Sequence, residues 1–272
     1  MVAMANQTFA EKPPRLIRWR IWVQAAFAVA WLDPLGLRLH TICSPVFHCY
    51  ACPLALFACP IGVIANFSAL HTIPFLAIGT LVVVGGIFAG FVCGWACPFG
   101  FLQDMVGRIP VPKLKLPPWT QHFRYVVLGV MVLAVPYLWG EGHWLFICRL
   151  CPAGTLEGAM YNAGKAAAQG TEIPWPSVAK LTVFGLIVAA MFVTWRPWCT
   201  VLCPLGAIFG LFNRVSVIFL HVHPEDCTHC GRCAKECKMG LRSDVQLGDP
   251  TCIRCMDCTR CSAIHVETIL KN

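Results

Sequence analysis

The spacing of the cysteines constrains this chain more than any other feature. Eighteen of its 272 residues are cysteine, and most of them lie in short C-x-x-C or C-x-x-x-C groups. Disulfide scaffolds are usually short secreted chains with dispersed cysteines. Thiols separated by two or three residues instead suit ligation of a shared metal ion or iron–sulfur cluster. The cysteine pattern therefore predicts a protein that holds metal clusters.

Two runs of four cysteines lie near the end of the chain. The first run reads C-x-x-C-x-x-C-x-x-x-C from residue 227, and the second reads C-x-x-C-x-x-C-x-x-C from residue 252. This pattern is typical of a ferredoxin with two [4Fe–4S] clusters, in which the fourth cysteine of each run ligates the other cluster. The predicted ligands are Cys227, Cys230, Cys233 and Cys261 for one cluster, and Cys252, Cys255, Cys258 and Cys237 for the other.

Two details depart from the usual ferredoxin pattern. Proline commonly follows the fourth cysteine, but Lys238 and Ser262 occupy these positions. The second run also closes with two intervening residues instead of three. A variant cluster or a weaker second site is therefore an open alternative. Zinc is disfavoured, because zinc ribbons pair two C-x-x-C units and do not need runs of four.

The apolar composition indicates that the part of the chain before these runs lies in a membrane. Hydrophobic residues make up 57% of the chain and charged residues 12%, whereas about 25% of an average globular domain is charged. Spans are predicted at 18–38, 73–92, 123–139 and 178–195, each near the length that crosses a hydrocarbon layer of about 30 Å. The stretch 54–70, interrupted by Pro60, is expected to form an interfacial or re-entrant helix, which leaves the number of spans open.

The predicted fold is an α-helical membrane protein with about four transmembrane helices in a tandem two-helix repeat, followed by a small α+β ferredoxin domain. Residues 1–20 are expected to form a basic N-terminus, 21–220 the membrane domain and 221–272 the ferredoxin domain. The net charge of +8 comes from basic residues beside apolar segments. This indicates membrane orientation with both termini in the cytoplasm, and nucleic-acid binding is not expected.

A short sequence, Cys-Pro-x-Gly, occurs four times in the predicted membrane domain. It begins at Cys59, Cys97, Cys151 and Cys203. Proline directly after cysteine suits the first position of a helix, where its missing N–H group is not needed. Each cysteine is therefore predicted at a helix N-terminus, where free N–H groups and the helix dipole favour a thiolate or an anionic cluster.

These repeats divide between the two predicted membrane faces. Cys93 and Cys97 follow the second span, and Cys199 and Cys203 follow the fourth, so these four are expected to form an inner cluster site. An outer cluster site is expected from Cys49, Cys52, Cys148 and Cys151, with Cys43 or Cys59 as substitutes. One or two further [4Fe–4S] clusters in the membrane domain follow from this arrangement. The alternative is that these residues are buried free thiols or disulfides.

Two segments of the membrane domain resemble a known family. The segments CGWACPFGFLQD (Cys93–Asp104) and RPWCTVLCPLGA (Arg196–Ala207) are similar to the C-x-x-x-C-P motifs of the NapH/NosR-type membrane polyferredoxins. The resemblance covers roughly residues 73–110 and 178–265. It implies an electron-transfer subunit of a quinol dehydrogenase-like complex in the inner membrane of a bacterium or archaeon. The cysteines of the outer site are not part of the NapH pattern.

The leading functional hypothesis is electron transfer between the ferredoxin domain and either the quinone pool or a periplasmic cytochrome or iron–sulfur protein. Other subunits of a membrane redox complex are the expected partners. His71 and His143, near the outer ends of predicted spans, are candidates for quinol proton transfer or haem ligation, although histidines solvated at the interface are a simpler interpretation. No other catalytic residue is predicted.

Two other classes of function fit the sequence less well. The first is a redox maturation factor that reduces a metal or cofactor during assembly of a respiratory enzyme. Membrane polyferredoxins of the cytochrome-oxidase assembly type also combine a C-x-x-x-C-P motif with a ferredoxin domain. The second is a cluster-based sensor, which is least favoured because the sequence shows no DNA-binding motif or output domain.

Overall fold

The computed structural model describes residues 15–32, 59–114, 116–172 and 175–269. These residues are mostly helical and include one small antiparallel sheet. The helices are α1 (Arg15–Leu32), α2 (Pro60–Ala69), α3 (Phe75–Phe88), α4 (Pro98–Gly107), α5 (Trp119–Trp139), α6 (Ile147–Leu150), α7 (Pro152–Gly154), α8 (Tyr161–Ala168), α9 (Val178–Val193), α10 (Pro204–Leu211) and α11 (Arg232–Glu236). The strands are β1 (Ile218–Val222) and β2 (Ile264–Thr268).

The predicted spans correspond to helices whose lengths differ from expectation. Within the described ranges, α5 is the one helix that is long and apolar enough to cross a membrane by itself. It passes through a π-helical segment, Val127–Ala134. Helices α2, α3 and α9 are apolar but shorter, with 10, 14 and 16 residues. The mostly helical fold is thus confirmed, and four transmembrane helices remain a prediction.

Helix α3 ends earlier than the sequence predicted. The expected span at 73–92 is interrupted because Ala89 adopts a left-handed conformation, with φ of 46°. The N–H group of Gly90 then donates to Asn213 Oδ1 at 3.1 Å instead of to an α-helical carbonyl. The helix is therefore stopped by a tertiary contact that no local signal in an apolar run reveals.

Two distant stretches share one local structure. The π-helical turn Val92–Ala96 leads to Cys97, which caps the start of α4. The π-helical turn Trp198–Leu202 leads in the same way to Cys203 and α10. Cys59 and Cys151 likewise precede the first residues of α2 and α7. The predicted placement of all four cysteines at helix N-termini is confirmed.

The C-terminal part packs directly on the helical part. Strands β1 and β2 pair antiparallel, and β1 spans the expected domain boundary at residue 221. Met239, Leu241 and Ile253 belong to the same buried core as Phe99 and Phe209. One hydrophobic core therefore continues from the helices into the C-terminal part.

Candidate metal centres

The four cysteines of the predicted inner site line one cavity. Cys93, Cys97, Cys199 and Cys203 come from two segments about a hundred residues apart in sequence, and the cavity also contains Phe99, Trp198 and Arg124. Cys97 and Cys203 are 3% and 5% exposed. The structure therefore brings these four thiols together in an apolar, buried setting.

Hydrogen bonds from N–H groups reach three of these four sulfur atoms. The backbone N–H of Gly100 donates to Cys97 Sγ at 3.1 Å, and that of Gly206 donates to Cys203 Sγ at 3.4 Å. The side-chain amide of Gln103 donates to Cys199 Sγ at 3.1 Å. Hydrogen bonds of this kind favour the thiolate form, which is the form that ligates metal. In the two inner Cys-Pro-x-Gly sequences, the glycine is thus the residue whose N–H donates to the cysteine sulfur.

A buried ion-pair network lies beside the inner site. Asp104 accepts two hydrogen bonds from Arg196, at 2.7 and 2.6 Å, and one from Arg20 at 2.5 Å. Arg196 also donates to the carbonyl oxygen of Cys93 at 2.9 Å. Burial alone would raise the pKa of Asp104, but the charge of Arg196 and its hydrogen bonds lower that pKa to about 2. Two guanidinium groups therefore face one carboxylate, which leaves a net positive charge next to the thiols.

Arg20 has a different role from the one that its position in the sequence suggested. It is the last residue of the predicted basic N-terminus, residues 1–20. It is instead buried, and its Nε donates to the carbonyl oxygen of Gly94 at 3.0 Å. Arg20 also lies 3.6 Å from Asp257, within the second cysteine run. This one side chain thus links α1, the inner site and the C-terminal part.

The donor set and its surroundings fit an anionic cluster. Arg124 lines the inner cavity and is 3% exposed, and its Nε has no hydrogen-bond partner among the residues that the structure describes. A buried unpaired N–H group is costly, so an anionic group in the cavity would satisfy it. Four thiols with positive charge around them are the ligands that an iron–sulfur cluster requires.

A second cavity contains the cysteines predicted to share one cluster of the ferredoxin domain. Cys237, Cys252, Cys255 and Cys258 line it together with Leu220 and other apolar residues. Burial raises the pKa of Cys252 to about 11 and that of Cys255 to about 12. Thiols with such values are neutral near pH 7 unless a metal ion displaces their protons. The arrangement fits metal ligation by this set.

The other predicted set lies at the edge of the C-terminal part. Burial and the neighbouring charge of Cys261 raise the pKa of Cys233. Burial together with the charges of Cys227 and Cys230 raises the pKa of Cys261. Cys230 is exposed, and its pKa is lowered, chiefly by a hydrogen bond from the backbone of Arg232. The structure thus groups the fourth cysteine of each run with the first three of the other run. Ligation of clusters by these residues remains a prediction.

Only some cysteines of the predicted outer site lie within the described residues. Cys59, Cys148 and Cys151 pack against the same buried core as the inner cysteines. Cys43, Cys49 and Cys52 lie outside the described residues. The outer cluster site therefore remains a prediction.

The inner site and the second cavity adjoin each other. Cys252 lines both cavities. Its carbonyl oxygen accepts a hydrogen bond from Asn213 Nδ2 at 2.8 Å, and a Cβ atom on Gly90 would lie 2.4 Å from that oxygen. Trp95 Nε1 donates to the carbonyl oxygen of Arg254 at 3.1 Å. Backbone contacts therefore fix the second cysteine run against the inner site.

The sequence patterns did not identify several residues that belong to the inner site. Arg196, Asp104 and Gln103 all lie within the two segments that carry the family resemblance. These charged and amide side chains lie at the ends of otherwise apolar runs. A buried polar side chain needs a hydrogen-bond partner, so their positions could have indicated a buried network. Nothing local indicated Asn213, because its three partners are backbone groups distant in sequence.

Comparison with known proteins identifies the same two segments. A family described as "4Fe-4S binding domain" matches residues 70–117 and 178–222, and each matched segment contains one inner C-x-x-x-C-P motif. Both inner motifs therefore lie in segments that are similar to a domain that binds [4Fe–4S] clusters. The resemblance to NosR that the motifs indicated is confirmed, because NosR is among the relatives that this chain matches.

Individual relatives match this chain at low identity. YccM of Escherichia coli, which is named for electron transport, is 24% identical over 206 residues that cover 72% of this chain and 55% of YccM. The methylamine utilization ferredoxin-type protein MauN of Methylorubrum extorquens is 29% identical over 66% of this chain and 55% of MauN. The regulatory protein NosR of Pseudomonas aeruginosa is 28% identical over 62% of this chain and 23% of NosR.

The chain therefore spans about half the length of YccM and MauN and about a quarter of NosR. No solved structure matches the chain.

Proposed function

We propose that this chain is a membrane-bound electron-transfer subunit whose cysteine sites form a connected series. The observation that carries the proposal is the position of Cys252, which lines both the inner cavity and the second cavity. Two sites that share a lining residue are separated by far less than the roughly 30 Å of a membrane crossing. The series begins at Cys148 and Cys151, passes the inner site and the second cavity, and ends at the exposed Cys230.

Iron–sulfur clusters held by these cysteines would supply one-electron redox chemistry. The inner site would take one [4Fe–4S] cluster on Cys93, Cys97, Cys199 and Cys203, and the C-terminal runs would take two. Cys59, Cys148 and Cys151 would contribute to a fourth site with one of Cys43, Cys49 and Cys52. The protein's own part is to exclude water with Phe99 and Trp198 and to offset negative charge with Arg196 and Arg124.

The exposed surface supports membrane insertion of the helical part. Phe75 and Val178 are 77% and 80% exposed at the starts of α3 and α9. Trp119 and Trp139, at the two ends of α5, are also exposed, as is typical of aromatic residues at the two membrane interfaces. Exposed apolar helices with tryptophans at their ends suit a lipid environment.

The proposed partners follow from the two ends of the series. Residues 21–220 would lie in the inner membrane, and 221–272 would form the ferredoxin domain on the cytoplasmic side, with both termini there. Quinone, or a periplasmic cytochrome or iron–sulfur protein, would exchange electrons near Cys148 and Cys151. The exposed Cys230 end would face another subunit of the complex.

Iron and acid-labile sulfide per chain, measured after anaerobic purification, test the proposal. About twelve to sixteen irons are expected, because each [4Fe–4S] site holds four. About eight would leave only the C-terminal clusters and contradict the inner site. The Cys97→Ala variant should lose about four irons, while Thr182→Ala, on the exposed surface of α9, should retain all of them.

Spectroscopy of the reduced protein tests the connection between the sites. Paramagnetic centres in adjoining sites should show magnetic coupling in electron paramagnetic resonance spectra of the wild type. The Cys97→Ala variant should simplify the spectrum by removing one partner of that coupling. A full iron complement with uncoupled signals would show that the sites exist but are not neighbours, which contradicts the series.

A further inference from the structure

The two faces of the C-terminal sheet differ in chemistry. Leu220 and Ile264 are buried with Cys233, Cys258 and Cys261 on the face toward the cluster ligands. Side chains alternate between the faces along each strand. The neighbours of these two buried residues therefore project away from the cysteines.

Histidine and glutamate side chains lie on the face of the sheet that points away from the cysteines. His221 on β1 is paired with His265 on β2, and Phe219 is paired with Glu267. Residues paired across an antiparallel ladder share a face, so both histidines and Glu267 lie on one side. His223 follows β1 and continues the ladder, because its N–H donates to the carbonyl oxygen of Ala263 at 2.8 Å.

The polar atoms on this face converge. Glu267 Oε1 lies 2.9 Å from His223 Nε2 and 3.7 Å from His221 Nδ1. One ligand atom from each of these three residues lies within 4.8 Å of the others. The ring of His265 is 5.3 Å from that of His223, centroid to centroid. The ligand atoms of two histidines and one carboxylate thus converge on one point, and the ring of His265 lies beside them.

These separations suit a transition-metal ion. Zinc binds imidazole nitrogen at about 2.0–2.1 Å and carboxylate oxygen at about 2.0–2.2 Å, so tetrahedral ligand atoms lie about 3.4 Å apart. The observed separations of 2.9 and 3.7 Å fall on either side of that value. Small side-chain rotations would be enough to place the three atoms around one ion.

A second carboxylate lies where it would orient one of the histidines. Glu225 Oε1 is 3.8 Å from His223 Nδ1, on the side of the ring opposite Nε2. Histidines that ligate metals commonly direct their other nitrogen to a carboxylate, which fixes the ring and raises its basicity. His223 therefore has one nitrogen toward Glu267 and the other toward an orienting group.

We propose that His221, His223 and Glu267 form a binding site for a divalent transition-metal ion of the zinc type, separate from the cysteine sites. Imidazole and carboxylate ligands suit such ions, whereas magnesium and calcium prefer oxygen ligands alone. Water or a neighbouring side chain would complete the coordination. The site lies on the opposite face of the sheet from Cys233 and Cys261, so it can fill without disturbing them.

Zinc titration of the full chain, purified anaerobically with its iron, tests this proposal. We expect the wild type to bind one more zinc ion per chain than the His221→Asn/His223→Asn double variant, measured by competition with a zinc chelator. Glu267→Gln should weaken that ion's binding at least tenfold. His122→Gln removes an exposed histidine elsewhere in the chain and should bind zinc as the wild type does. Equal zinc binding by the wild type and the double variant would overturn the proposal.

X-ray absorption at the zinc edge separates this site from zinc captured by cysteine. Scatterers at about 2.0–2.1 Å indicate nitrogen and oxygen ligands, and scatterers at about 2.3 Å indicate sulfur. We expect the first result for the ion that the double variant loses, with unchanged iron content in every variant. A sulfur shell for that ion would place it at the cysteines and overturn the proposal.

Discussion

The inner cysteine site and the C-terminal cysteine runs assemble the same kind of ligand in opposite ways. The inner site takes two cysteines from each of two segments a hundred residues apart, and Cys97 and Cys203 cap helices. The C-terminal sites take most of their cysteines from continuous short runs. The inner site therefore depends on correct tertiary packing, whereas local sequence already brings most of the C-terminal ligands together.

The two regions also differ in the number of cationic side chains beside the cysteines and in what those side chains bond to. The inner cavity is closed in by apolar residues and has Arg124, Arg196 and Arg20 in or beside it. Arg254 lines the second cavity, but its guanidinium group donates to the carbonyl oxygens of Asn213 and Ile218 and so stabilises the fold. We infer that side-chain cations stabilise a charged group mainly at the inner site. Four predictions test this difference, from the largest expected effect to the smallest.

Replacing Asp104 should have the largest effect on stability. Asp104→Asn leaves two buried guanidinium groups without their carboxylate. Breaking a buried ion pair from one side costs about 3–5 kcal/mol, so the apparent melting temperature in detergent should fall by on the order of 10 °C. The comparison variant is Glu225→Gln, whose side chain is 81% exposed, and it should cost less than about 1 kcal/mol. Similar losses in both variants would contradict a special role for the inner network.

Adding a methyl group at Gly210 should disturb the contact between the two regions. A Cβ atom there would lie 2.2 Å from the carbonyl oxygen of Pro250. Because neither backbone can move freely, Gly210→Ala should destabilise by about 1–3 kcal/mol and weaken magnetic coupling between the sites. Gly185→Ala, in the open part of α9, should be neutral or stabilising by up to about 1 kcal/mol. Unchanged coupling and stability in Gly210→Ala would show that this contact does not fix the spacing.

Sequence alone predicted most of the helical fold and the grouping of the cysteines. The repeated Cys-Pro-x-Gly pattern placed Cys97 and Cys203 at helix starts because proline at the first helical position is a local property. The end of α3 at Phe88 and the buried role of Arg20 could not be predicted in this way. Both depend on partners far along the chain, namely Asn213 and Asp104.

The sequence also did not predict that the inner site and the second cavity adjoin each other. Cys252 lines both the inner cavity and the second cavity. Hydropathy gives the length of a span and does not show how the segments that follow it pack together. The histidine face of the sheet was likewise hidden, because the pairing of His221 with His265 depends on strand register.

Removing the side-chain hydrogen bond to Cys199 should shift a reduction potential without loss of iron. The amide of Gln103 donates to Cys199 Sγ at 3.1 Å, and donation to ligand sulfur stabilises the more negative, reduced state. Gln103→Met should therefore lower the potential of the inner site by about 40 mV, since a hydrogen bond contributes about 1 kcal/mol and 59 mV corresponds to about 1.4 kcal/mol for one electron. A redox titration followed by electron paramagnetic resonance measures this shift.

The control for that titration is a second buried glutamine that does not contact a cysteine. Gln121 donates to the carbonyl oxygen of Met239 at 3.5 Å, so Gln121→Met should leave the potential of the inner site unchanged. If both variants shift the potential equally, general changes in packing and not the hydrogen bond to sulfur would be responsible.

The smallest effect is expected at Lys238, which occupies the position where ferredoxins usually have proline. Its ammonium group lies 3.0 Å from Asp257 and 4.5 Å from the centre of the Trp195 ring. The side chain is 34% exposed, so Lys238→Met should cost only about 0.5–1 kcal/mol and retain all iron. Lys235→Met, at an exposed position of α11, should match the wild type. A loss of four irons from Lys238→Met would instead mean that this departure from the usual pattern supports the cluster site itself, and the C-terminal ligands would then depend on packing as strongly as the inner four.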